Sequence, residues 1–240
     1  MKKAVLIIHG FAGTLKDHKY LEMRLKKEHY DVYTFLLPGH DKKIIRGVTR
    51  QEWIEASEKE LQKILKKKYK EVTVFGHSMG SLIAGYLATK YPIDKLILSS
   101  PPYKYLKVDD KGLHFGKSLK LGFQLLKDKD DVSYSAVSRI FRVTPYVTRQ
   151  LMKLSKERRN DPENIKIPVA IFEGSKDYLV PLDSALYAYD SMKSKYKKLI
   201  VVKDTKHPIF RSKRCDVAIN ELIKFLKSDT KIEKEEIINI

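Results

Sequence analysis

The sequence predicts an α/β protein with a mostly parallel sheet of about six strands, helices on both faces and a helical insertion. Three observations lead there. Short β-branched runs alternate with longer amphipathic ones, which is the pattern of βαβ crossovers. Runs such as "AVLII" and "KLILS" are apolar throughout, as strands covered on both sides must be. The alternation fails once, between about 101 and 164, where two long patterns look helical with no strand between them.

Strands are expected near 3–8, 31–36, 71–75, 94–99, 167–173 and 198–203, and helices near 17–28, 50–68, 79–91, 183–193 and 213–227. The opening "MKKAVLIIHG" imitates a secretory signal, but Ala4 to Ile8 is a run of five residues where a signal core needs ~7–15. It reads as the first buried strand. In "KELQKILKKKYK" (59–70) Leu61, Ile64 and Leu65 recur at helical spacing, so the six lysines form the wet face of an amphipathic helix. Within the insertion, Thr144 as N-cap and Pro145 at the first helical position announce a helix whose buried face is Val147, Leu151 and Leu154. The tail "SDTKIEKEEIINI" fits a last helix or a frayed end equally. The domain division expected is a core of 1–100 and 165–240 carrying a cap of 101–164.

Composition narrows the function classes. A 240-residue chain with 42% hydrophobic and 10% aromatic residues has enough apolar side chain for one sizeable core. No stretch approaches the ~20 apolar residues of a membrane span. A single cysteine, Cys215, allows no internal disulfide and suits a reducing compartment, so the expectation is a soluble, cytoplasmic protein. The formal charge is +18, and the insertion holds 14 Lys and Arg against 6 Asp and Glu over 100–160. No zinc-ligand spacing or RNA-binding signature accompanies that charge, so no specific nucleic-acid partner is expected, only a weak attraction to anionic surfaces. Oligomeric state is not legible.

The chemistry concentrates in "VFGHSMGSLIAG" (74–85). Gly76 and Gly80 bracket Ser78 in a G-x-S-x-G pattern between a strand and a helix, a strained turn that exposes a serine hydroxyl. A chain of this composition would contain such a pattern by chance about 0.03 times, so its occurrence at a strand–helix junction is informative. A serine needs a base, usually histidine, held in one tautomer by a carboxylate. Reactive groups of a parallel sheet gather at the carboxyl ends of its strands. His207, just after the last strand, meets that condition; His77 adjoins the serine but is expected to point away from its hydroxyl, His29 lies at the wrong edge of the sheet, and His18, His40 and His114 do not follow a strand near the elbow. Asp177, in the loop beyond the fifth strand, is the best acid; Asp204 is a rival three residues before His207 but too near its strand end to reach behind the imidazole. The developing oxyanion needs backbone donors, and the N–H groups of Met79 and of Phe11 in "HGFAGT" occupy the usual positions. No metal or organic cofactor is needed for this chemistry.

In order and interval, "HGFAG", "GHSMG", "GSKDYLVP" and the "KH" after the last strand resemble the α/β-hydrolase superfamily, and within it small bacterial carboxylesterases similar to monoacylglycerol lipases. The resemblance covers roughly 3–100 and 165–226. It implies an α/β-hydrolase fold that begins at the third of the superfamily's eight strands, with Ser78 as nucleophile, His207 as base, Asp177 as orienting acid and Phe11 and Met79 as oxyanion donors. Relatives with aspartate at the elbow, the haloalkane dehalogenases and epoxide hydrolases, use a chemistry that Ser78 argues against. Asp41 stands where many relatives carry glycine, which puts the loop at 39–40 in question. The activity implied is hydrolysis of small-molecule carboxylic esters through an acyl-enzyme, with Phe115, Leu119, Phe123, Leu126 and Phe141 of the cap as candidates for lining the acyl pocket. Acyl transfer, thioester or C–C hydrolysis by the same groups, and a non-catalytic binding module with a basic cap, remain open at this level.

Overall fold

In a computed structural model of the chain, residues 2–104, 139 and 142–240 are described, together with the backbone of Val108–Asp109 and Gly112–Leu113. The chain runs β1 (Lys3–Ile8), α1 (Lys19–Lys27), β2 (Tyr30–Thr34), α2 (Arg50–Leu65), β3 (Glu71–His77), α3 (Met79–Lys90) and β4 (Lys95–Ser99). After the short β5 (Val108–Asp109) and β6 (Gly112–Leu113) come α4 (Pro145–Arg158), β7 (Val169–Gly174), α5 (Leu182–Ser191), β8 (Tyr196–Val202), α6 (Cys215–Lys227) and β9 (Lys234–Asn239).

The main sheet has seven strands in the order β2-β1-β3-β4-β7-β8-β9, every neighbouring pair parallel. The strand beyond the expected six is β9, so the tail is neither helix nor frayed end. Within the insertion, the described pairs at 108–109 and 112–113 differ from the helical reading, because β5 and β6 pair antiparallel, Val108 opposite Leu113 and Asp109 opposite Gly112. A β-branched residue and a glycine at those positions disfavour helix. The helix predicted at Thr144–Pro145 begins there as α4, although the Thr144 hydroxyl makes no capping bond.

Alternate residues of the inner strands enter separate cores. Leu6, Ile8, Val72, Val74, Leu96, Leu98, Ile171 and Leu199 face α2, α3, α4 and α5, while Val5, Ile7, Phe75, Ile97, Phe172 and Ile200 face α1 and α6. Both layers are closed to water, which is why these strands show no polar alternation. α3 is apolar on nearly every side and is buried from Met79 to Gly85, held between the sheet and the helices α2 and α4. Val147, Leu151 and Leu154 of α4 join the same core as the sheet.

Strand order reverses between β1 and β3, since β2 lies on one side of β1 and β3 on the other. Crevices at such switch points, beyond the carboxyl ends of the strands, are where open α/β sheets bind ligands. The register aligns Ile8 with Gly76 and His77 with Ser99, so the loops after β1, β3 and β4 leave the sheet at one level.

Candidate active site

Ser78 stands at the junction of β3 and α3 with φ +53° and ψ −119°, a conformation that strains a non-glycine residue. Such strain costs of the order of 1–3 kcal/mol. It is offset by what the sharp turn allows: α3 doubles back onto the sheet and buries Met79, Leu82 and Ile83 completely, each contributing about 1.5–3 kcal/mol. The two glycines are needed for that approach. A Cβ at Gly76 would run into the Gly80 carbonyl, and one at Gly80 into the Ile8 carbonyl, all backbone that cannot give way. The turn is pinned by Ser78 N–H donating to Ser99 O at 2.8 Å and by the Ser81 hydroxyl, which donates to Gly76 O at 2.8 Å.

The loop after β1 lies beside this turn, since a Cβ on Gly10 would sit 3.2 Å from that of Ser78. Its tight bend is closed by Gly13 N–H donating to Gly10 O at 3.0 Å and carries Phe11 and Ala12, the latter at φ +54°. Met79 is the first residue of α3, so its N–H has no carbonyl one turn back within the helix. Gly10, immediately before Phe11, and Met79 therefore flank Ser78 from the loop after β1 and from α3.

The candidate acid and base come from the loops after β7 and β8. Ser175 N–H donates to Val202 O at 3.0 Å and Lys176 N–H to Thr205 O at 2.9 Å, so the loops after β7 and β8 are stitched together. Across that seam His207 Nδ1 lies 2.7 Å from Asp177 Oδ2. The other oxygen, Oδ1, accepts from Leu179 N–H and Val180 N–H, each at 2.9 Å, and the Asp177 side chain is shut off from water. Burial by itself would raise the Asp177 pKa, but the attraction of His207 and these hydrogen bonds outweigh it and hold the carboxyl below its ordinary value. Asp204 points elsewhere. It is exposed at φ +55° and pairs with Lys176 at 2.7 Å.

Histidines surround the pair. The His207 ring lies 4.9 Å from that of His77, which in turn lies 5.5 Å from His18. Burial first, then the neighbouring His207 and His18, depress His77 well below the usual imidazole range, and burial takes His18 down to about 4. Both are neutral at pH 7, so they add no competing charge behind His207. The loop at 39–40 is orderly despite Asp41. His40 is buried with its N–H donating to Leu37 O at 3.1 Å, and Asp41 turns to the surface beside Lys42.

Sequence reasoning picked out Ser78, Asp177, His207, Phe11, Met79, Gly76 and Gly80, and all seven fall at the carboxyl ends of β1, β3, β7 and β8. His77, expected to point away from the Ser78 hydroxyl, packs on the His207 ring and has its Nδ1 3.2 Å from Ser99 Oγ. The cap candidates Phe115, Leu119, Phe123, Leu126 and Phe141, with His114, lie outside the described residues. A buried Asp17 was not singled out. It accepts from Thr14 N–H at 2.8 Å, from Arg139 at 2.8 Å and from Arg211 at 2.6 Å, tying the loop after β1 to the insertion and to the segment after His207. The Thr14–Asp17 spacing is a local capping box, but the two arginine partners of Asp17 lie 122 and 194 positions away, so no local pattern could have signalled the link they make. Among the described residues, no three His, Cys, Asp or Glu side chains are grouped to hold a metal ion, and no helix is long and apolar enough to cross a membrane.

Residues 1–214 match the family described as serine aminopeptidase, S33. The chain belongs to this family. A carboxylesterase of Bacillus subtilis (strain 168) is 22% identical over 234 residues, covering 94% of this chain and 92% of the relative. A thermostable monoacylglycerol lipase of Bacillus sp. (strain H-257) is 25% identical over 207 residues, covering 85% and 82%. The crystal structure of a monoacylglycerol lipase of Paleococcus ferrophilus superposes with a TM-score of 0.70 at 20% identity, covering 93% of each chain. This S33 family member is thus a hydrolase with the α/β-hydrolase fold.

Proposed function

We propose that this S33 family hydrolase is a serine carboxylesterase acting on short- to medium-chain carboxylic esters, monoacylglycerols among them. Ser78 attacks the acyl carbonyl while His207 takes its proton, and Asp177 holds the imidazole in the tautomer that presents its other nitrogen to the serine. The N–H groups of Phe11 and Met79 stabilise the oxyanion, and water then releases the acid from the acyl-enzyme. The observation that supports this reading most is the 2.7 Å contact of His207 Nδ1 with a water-excluded Asp177, one loop away from a strained serine at the sheet's switch point. The names of the two bacterial relatives favour esters over other acyl compounds. In this reading 101–164 forms the cap that selects the acyl chain, with α4 as its anchor in the core.

The deciding experiment is Ser78→Ala, assayed with p-nitrophenyl esters and monoacylglycerols of graded length and with a fluorophosphonate probe. Hydrolysis should fall by roughly 10⁴-fold or more, and stoichiometric labelling should vanish. Labelling that survives the substitution would move the nucleophile to another residue. Product analysis with alcohols and thiols present separates hydrolysis from acyl transfer.

A further inference from the structure

Glu173 is the penultimate residue of β7, four positions before Asp177, and its side chain is completely buried. Its Oε1 accepts from Gly174 N–H at 3.0 Å. Among the described residues its Oε2, equally buried, accepts no hydrogen bond at all. No cation pairs with it there. The groups its carboxyl interacts with are the carboxyl of Asp177 and the Ser100 hydroxyl. Two carboxylates touching in a site closed to water repel one another strongly, and a single proton between them turns the repulsion into a hydrogen bond.

The surroundings decide which carboxyl keeps the proton. Asp177 has two backbone N–H donors and the imidazole of His207, whereas Glu173 has one backbone N–H and the Ser100 hydroxyl. The better-solvated anion is Asp177. We propose that Glu173 is a positioning residue, donating a carboxyl O–H to Asp177 as a fourth hydrogen bond and so fixing the carboxylate that orients His207. This rests on the roles assigned above to Ser78, Asp177 and His207. Burial first, and then the charge of Asp177, push the Glu173 pKa well above its ordinary value, in keeping with a neutral acid at pH 7. The donated bond also draws charge from Asp177, so that the carboxylate steadies the imidazolium without holding its proton too tightly. The other groups facing this pair are the Ser100 hydroxyl, His207 and, behind His207, the neutral His77.

The test uses the full chain, with Glu173→Gln and Glu173→Leu. Glutamine keeps both a donor and an acceptor of nearly the same shape, and leucine removes the donor. With p-nitrophenyl acetate, E173Q should keep kcat and the acid limb of the kcat/KM pH profile close to the parent protein. E173L should lower kcat by roughly 10–100-fold with KM little changed, and should move the acid limb to higher pH, because an Asp177 relieved of its donor attracts the imidazolium proton more strongly. An acid limb that moves downward in E173Q would mean that the parent Glu173 is ionised, and would overturn the proposal; so would an E173L enzyme with parental kcat. The infrared C=O stretch of a protonated carboxyl at pH 7 is the direct readout. It should be present in the parent protein and in Ser78→Ala and lost in E173Q, and its absence from the parent would sink the proposal even if E173L failed to fold. If the parent protein showed the band but no titratable nucleophile, the esterase reading would fall instead.

Discussion

Asp177 and Asp204 follow neighbouring strands, yet only the first is enclosed. Its carboxylate takes two backbone N–H groups and the imidazole, while that of Asp204 is turned to solvent with Lys176. Asparagine at 177 can still accept from Leu179 and Val180, so the loop should hold its shape. Its amide nitrogen would face Nδ1, however, and favour the tautomer that cannot accept the serine proton. Asp177→Asn should therefore lower kcat by roughly 10³–10⁴-fold with an unchanged circular dichroism spectrum. Asp204→Asn loses one exposed ion pair and should leave kcat within about twofold. Steady-state kinetics on the two variants rank them, and the reverse ranking would reassign the acid.

At the scale of elements, the site depends on how closely α3 can approach β1 and β3, and Gly80 controls that approach. A methyl group there meets two carbonyl oxygens of the β1 end, Ile8 and His9, so α3 must move away and carry Ser78 and Met79 with it. Gly80→Ala should cost about 1–3 kcal/mol, lowering Tm by roughly 2–4 °C per kcal/mol, and should slow fluorophosphonate labelling sharply. Gly47 is the control. At φ +68° with open space around it, Gly47→Ala adds backbone strain of about 1–2 kcal/mol and should leave labelling alone. The same local demand explains why this turn was legible in the sequence, since two glycines at fixed distance from a serine are required by contacts within a few residues. The core strands were legible because both faces are buried. Strand β9 was not, because "KEEIIN" belongs to an edge and exposes four of its six residues; nor were Asp17 and Glu173, whose significance lies in partners brought together only by the fold. A signal for β9 did exist in the paired blocks "KK" at 197–198 and "EE" at 235–236.

For the molecule as a whole, a net +18 must be accommodated without the sheet pushing itself apart. The β8–β9 pairing is one place where this happens. Lys197 lies opposite Glu235 and Lys198 opposite Glu236, with ion pairs at 3.5 Å and 3.0 Å, and both lysine side chains are largely covered. Reversing the two acids by Glu235→Lys and Glu236→Lys would set like charges directly opposite each other, at a cost of about 0.2–1 kcal/mol per pair. In a chain of this length that should appear as a Tm lower by several degrees, with the deficit shrinking in about 1 M salt, where the Debye length falls to about 3 Å. Adding Lys197→Glu and Lys198→Glu restores opposite charges across the register and should recover most of the loss. The His207 loop is stitched to the loop after β7 through Lys176 N–H and Thr205 O, and its bond to the residue following β9, Lys203 N–H to Ile240 O at 2.7 Å, is made by backbone that the substitutions keep, so kcat at 25 °C should change little in either variant. Thermal melts at low and high salt on the reversed and the restored chains test the charge ladder directly, and a reversed chain as stable as the parent would show that β9 is held by its backbone bonds alone.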